Sequence, residues 1–143
     1  MKILKIIREE EIFDNIQKKD DSEYTKTRNA VRIIIVDKDG KIALNHYQQN
    51  NSYQEEYGIP GGGVKIGEGI MEAVLREAKE ETGCDVKFAK EVGLIIEYGV
   101  SPNLIQKVYC YTGIIKEKGN PVFTTKELKN ELGIKWLSLD DAI

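Results

Sequence analysis

Apolar and polar positions alternate along most of this chain, and only one stretch follows a helical period instead. Lys2 to Ile7 alternates as a short strand. Glu9 to Thr27 is polar and reads as a loop or a short helix around Ile12 to Ile16. Asn29 to Val36 is β-branched and apolar on both parities, the pattern of a buried strand. Asp37-Lys-Asp-Gly40 supplies a turn and Lys41 to His46 a returning strand, which is a hairpin signal. Ile59-Pro-Gly-Gly-Gly63 is the densest turn signal in the chain. Ile70 to Thr82 is amphipathic at helical spacing, with Ile70, Met71, Val74, Leu75 and Ala78 as its apolar stripe and Gly83 placed to stop it. Val86 to Tyr98 and Leu104 to Ile115 read as longer strands, and Glu117 to Pro121 as a turn. Thr124 to Leu132 reads as a short helix, Ile134 to Leu137 as a strand, and Leu139 to Ile143 as the start of a helix. Strands before, around and after one strong helix predict an α+β fold with a mixed sheet.

The length of 143 residues fits one domain, with residues 1–28 as an N-terminal extension offering an edge strand. The net charge of −3 argues against a broad nucleic-acid footprint, so no DNA partner is expected. No apolar run approaches a membrane span, and the N-terminus is too short and too charged for a signal peptide. Cys84 and Cys110 are the only cysteines and form no C-x-x-C, so both read as small buried hydrophobes in a cytoplasmic protein. His46 is the only histidine, which removes paired-histidine metal sites and leaves acid–base chemistry to carboxylates. It and Trp136 read as packing residues.

The predicted helix carries an odd charge pattern. Glu77, Glu80 and Glu81 fall within an arc of roughly 100° beside the apolar stripe. Like charges at this spacing cost about 0.2–0.5 kcal/mol per pair. Acids near a helix C-terminus also oppose the macrodipole. A hard divalent cation would neutralise them, because Mg²⁺ and Mn²⁺ prefer carboxylate oxygen. Upstream, Gly61 to Gly63 permits close backbone approach to a ligand, and Glu68 stands at the helix start, where an acid is favourable.

Gly62-x5-Glu68-x7-Arg76-Glu77-Ala78-x-Glu80-Glu81-x-Gly83-Cys84 resembles the Nudix box, G-x5-E-x7-R-E-U-x-E-E-x-G-U with U apolar. Every glycine, arginine and glutamate of that pattern is matched. Trp136-Leu-Ser-Leu-Asp-Asp also resembles the family's usual C-terminal ending. The resemblance implies a Nudix-like α/β/α sandwich that hydrolyses the diphosphate bond of a nucleoside diphosphate derivative or a nucleoside triphosphate by metal-activated water. It implies Mg²⁺ or Mn²⁺ held by Glu77, Glu80, Glu81 and the carbonyl of Gly61. Gly62, Glu68 and Gly83 would be structural, and Arg76 would pair with Glu68 to orient loop and helix. The general base would be a box glutamate or a glutamate on a later loop, where Glu131 and then Glu127 are the candidates. Tyr57, just before the glycines, is the candidate for stacking on a base. Lys65 departs from the family, which usually has Glu there; the change would either remove a secondary metal or hydrogen-bond contact or bring a cation towards the substrate phosphates. The expected partner is a small nucleotide, with homodimerisation left open. Two rival readings are a non-catalytic nucleotide sensor and an RNA 5′-end pyrophosphohydrolase using Lys18, Lys19, Lys26 and Arg28. A Nudix-fold isomerase is more remote, because its catalytic cysteine motif is absent.

Overall fold

Val31, Ile33 and Ile35 are wholly shielded from solvent, and their period of two puts all three on one face of a strand. That strand is the spine of the molecule. A computed structural model describes residues 1–48, 55–99, 103–115, 117–122 and 133–143, excepting the side chains of Gln48, Glu55 and Phe88. In chain order its elements are β1 (Ile3–Arg8), α1 (Glu9–Ile12), β2 (Lys26–Val36), β3 (Ile42–Gln48), β4 (Glu55–Gly58), α2 (Ile70–Thr82), β5 (Val86–Gly99), β6 (Leu104–Ile115), β7 (Gly133–Leu137) and α3 (Leu139–Ala142). The predicted helix over Thr124 to Leu132 lies outside the described residues.

The sheet runs β1-β5-β6-β2-β3-β4, with β7 paired to β3. β1 lies parallel to β5 and β2 parallel to β6, while the other pairs are antiparallel, so the sheet is mixed. The hairpin expected between β2 and β3 survives only at its turn, where Val36 pairs with Ile42. Beyond that point the two strands part, because the glycine segment takes the place beside β2. Ile33 donates to the Pro60 carbonyl, Val31 to the Gly62 carbonyl, and Val64 to the Asn29 carbonyl, each at 2.9 Å. β3 pairs instead with β4 and β7.

α2 occupies the predicted residues. Its first turn is closed by Glu72, which accepts from the Gly69 N–H at 2.9 Å. Its end is closed by Gly83, whose φ of 71° is the left-handed conformation of a helix stop. Ala73, Val74 and Ala78 pack on Val31, Ile33 and Ile35, with Cys84, Tyr111 and Ile115 completing the core. Burying a side chain such as Val74 contributes about 1.5–3 kcal/mol.

The predicted apolar stripe needs one correction. Met71 and Leu75 are exposed, at 40% and 44%. The buried face instead runs through Ala73, Val74, Glu77, Ala78, Glu81 and Thr82. Near the N-terminus, the helical turn falls at Glu9–Ile12 and not at Ile12 to Ile16. Three consecutive glutamates there suit the positive end of a helix.

Candidate active site

Glu77 and Glu81 are buried within the helix–sheet interface, beyond the margin that the helix wheel predicts. A buried carboxylate must be paired or hydrogen-bonded to be tolerated. Two different sets of donors do this. Glu81 Oε2 accepts from the Gly61 backbone N–H at 2.7 Å and from Asn45 Nδ2 at 2.9 Å. Glu77 Oε1 accepts from Arg76 Nη1 at 2.7 Å.

The same guanidinium is the hub of the site. Arg76 Nε donates to Glu68 Oε1 at 2.6 Å and Nη2 to Glu68 Oε2 at 2.9 Å, a two-pronged pair. Nη1 also reaches Glu80 Oε2 at 3.0 Å, and Nη2 the Gly63 carbonyl at 3.1 Å. One cation thus ties loop, helix start and helix acids together. Hydrogen bonds from Arg76, then the Lys65 backbone N–H, pull the Glu68 carboxyl down to about 2. Glu68 in turn pushes Arg76 above its ordinary value, against the cost of burial.

The glycines answer to this packing. Gly61 has a φ of 148°, and a Cβ there would strike the Val31 carbonyl. A Cβ on Gly62 would strike the Glu77 carboxylate. At Gly63 the added atom would lie 2.8 Å from Arg28 Nη2. The loop therefore lies directly between β2 and the acids of α2.

The remaining predicted residues fall as follows. Lys65 is exposed, with its ammonium 3.9 Å from Glu80 Oε1. Tyr57 belongs to a different group on β4, stacked on His46 at 5.0 Å and accepting from Lys135 Nζ at 3.0 Å. Glu131 and Glu127 lie outside the described residues. Two residues had not been singled out for the site, Asn45 and, beside the glycines, Arg28. The available signal at Asn45 was an amide in a β3 segment otherwise rich in buried apolar residues. The sequence marks Arg28 only as part of a basic patch.

The donor types suit a hard divalent cation: carboxylate oxygens, a glycine loop and Asn45 Oδ1, which is buried without a hydrogen-bond partner. As arranged, no three Asp, Glu, His or Cys side chains among the described residues converge into a ligand cluster. Arg76 sits among Glu68, Glu77 and Glu80 instead.

The NUDIX domain family model matches residues 26–143, and the chain belongs to that family. An ADP-ribose pyrophosphatase of Methanocaldococcus jannaschii is 43% identical over 60 residues, covering 42% of this chain and 35% of that protein. An RNA pyrophosphohydrolase of Pelagibacter ubique is 37% identical over 81 residues, covering 54% and 49% respectively. The chain thus spans from about a third to half the length of these relatives. A solved NUDIX hydrolase from Nitrosomonas europaea shares the fold at 21% identity, with a TM-score of 0.65 over 82% of this chain and 76% of that one. No helix among the described residues is long and apolar enough to cross a membrane.

Proposed function

We propose that the chain is a Nudix pyrophosphohydrolase that cleaves a diphosphate bond in a nucleoside diphosphate derivative or a nucleoside triphosphate. The observation that carries this reading is the 2.7 Å bond from Gly61 N–H to Glu81, which holds the glycine loop against the acid-bearing helix. Glu77, Glu80, Glu81 and the Gly61 carbonyl are the proposed holders of Mg²⁺ or Mn²⁺. When bound, such an ion neutralises phosphate charge and activates water for attack. Phosphoryl transfer asks a protein mainly for positioning and charge balance. Arg76 supplies the positioning by fixing Glu77 and Glu80 relative to Gly63. Lys65, 3.9 Å from Glu80, is the proposed contact for substrate phosphate. Glu80 is the most exposed of the three acids proposed to hold the ion, with 38% of its side chain open, and is thus the one of them that a ligand from solvent reaches first. Glu131 stays the loop candidate for the general base.

Exposed Arg28 beside the glycine loop and exposed Lys26 two residues before it on β2, together with the likeness to RNA pyrophosphohydrolases, favour a second reading in which the nucleotide is an RNA 5′ end.

The test is phosphate and pyrophosphate release from a panel of deoxynucleoside triphosphates, oxidised dGTP, ADP-ribose, nucleotide sugars, dinucleoside polyphosphates and a 5′-triphosphorylated RNA. It is run with Mg²⁺ or Mn²⁺ on the wild type and on Glu80→Gln. Turnover of one compound, reduced about 10²-fold in the variant, is the expected outcome. Tight binding with no turnover of any compound would leave a sensor and overturn the hydrolase.

A further inference from the structure

On the face of the sheet opposite α2, four residues stand in register across four strands. Ile7 pairs with Glu97, Glu97 with Gln106, and Gln106 with Arg28. The row ends at the glycine loop, because Arg28 Nη2 lies 2.8 Å from the position a Gly63 Cβ would take. At its other end is a cleft of about 250 Å³, lined by Ile7, Glu9, Glu97, Tyr98, Gly99, Leu104 and Gln106. Gly99 opens its floor: a side chain there would have only the Leu104 carbonyl nearby, at 3.7 Å.

Within the cleft Gln106 Nε2 donates to Glu97 Oε2 at 2.7 Å. The other Glu97 oxygen receives no hydrogen bond from any described residue. The Gln106 carbonyl is a further acceptor. The pair therefore offers mainly acceptors, between the apolar walls of Ile7 and Leu104. Glu9 and Glu97 repel phosphate, so the charged end of a nucleotide stays outside. Exposed Lys26 and Arg28 lie between the cleft and the glycines, where that charged end would run. Strands are spaced roughly 5 Å apart, so Glu97 lies about 10 Å across the sheet from Arg28, the reach of one nucleoside.

We propose that this cleft takes the base of the nucleotide, and that Glu97 with Gln106 selects a base edge presenting adjacent N–H donors, as guanine does through N1–H and its 2-amino group. A site built around such bonds rejects an analogue that lacks one of the donors, since its own acceptor is then left unpaired. That the nucleotide is a substrate rests on the hydrolase reading. Binding of the base does not.

The experiment is calorimetric titration of the full chain with GMP, IMP and AMP, none of which has a diphosphate to cleave. GMP should bind about tenfold more tightly than IMP, which lacks only the 2-amino group. Glu97→Leu should equalise the two. Gly99→Leu, filling the cleft, should abolish binding of all three, with thermal melting confirming that each variant is folded. Equal affinity of the wild type for GMP and IMP overturns the proposal, as does a preference that survives Glu97→Leu. If GMP binds as expected while the whole panel goes unhydrolysed, the base site stands and the hydrolase reading falls.

Discussion

Arg76 and Arg8 each sit among acids, yet their surroundings differ in charge balance and in burial. Arg8 Nη2 holds Asp21 at 2.7 Å and Nη1 lies 3.7 Å from Glu10, while its guanidinium rests 4.0 Å above the Tyr98 ring. Asp21 is 65% exposed, so half of that cluster is in water. Arg76 holds three carboxylates and a backbone carbonyl, and is itself 18% exposed. The Arg8 cluster clips the N-terminal segment to β5 and sets one cation against two carboxylates, where Arg76 faces three. The Arg76 cluster carries more negative charge than its one buried cation offsets. A fold needing only a clip would not gather so many carboxylates beside a loop stripped of side chains. The surplus supports the proposal that a further cation is held there.

The sharpest way to break this comparison is to remove each arginine in turn. Arg76→Ala leaves Glu68, Glu77 and Glu80 without their shared partner, and should cost about 3–5 kcal/mol in urea unfolding. A loss near that of an exposed ion pair would show that the cluster is not integral to the fold. Next in size is Gly62→Ala, whose new methyl group displaces the Glu77 carboxylate. Hydrolysis should fall about 10²-fold, with far-UV circular dichroism unchanged. Full activity in that variant would detach Glu77 from the chemistry.

A smaller effect appears with pH. The Glu68 carboxyl is held at about 2 against an ordinary 4.5. A depressed carboxyl contributes stability that is complete above its unfolded value and fades as pH falls towards its folded one. The urea midpoint should therefore drop between pH 4.5 and 2, and Glu68→Gln should flatten that acid limb. An unaltered limb would assign it to other groups. The smallest change is expected for Arg8→Ala, at about 1 kcal/mol. That is the sum of an exposed ion pair and a cation–ring contact. Measuring it beside Arg76→Ala completes the comparison.

Local chemistry was legible in the sequence, and long-range pairing was not. The bounds of α2, its glycine stop and the full length of β6 follow from periodicity and turn residues. The partner of β2 does not, because the turn at Asp37 to Gly40 promises a hairpin whatever the strands do afterwards. β2 is claimed by the glycine loop on one flank and β6 on the other, and nothing local encodes either contact. The helix stripe was misread for a related reason. Met71 and Leu75 are apolar and exposed, whereas Glu77 and Glu81 are charged and buried, since donors from Arg76, Asn45 and Gly61 make their burial tolerable. The acids could be named from their spacing, but their depth depends on partners from other elements. Glu97 and Gln106 gave no signal, because their pairing exists only once β5 and β6 are in register.

The parallel union of β2 with β6 also bears on how the molecule comes into being. Ile33 meets Pro60 only 27 positions ahead (60 minus 33), whereas Lys26 meets Leu104 across 78 (104 minus 26). Distant pairings form slowly, because the chain loses entropy before contacts repay it. The glycine arm can settle on β2 while β6 is still unplaced, so the proposed phosphate end matures ahead of the proposed base cleft. Pulsed hydrogen-exchange labelling during refolding should show the Val31 and Ile33 amides protected before those of β6, and the reverse order would refute that sequence of assembly.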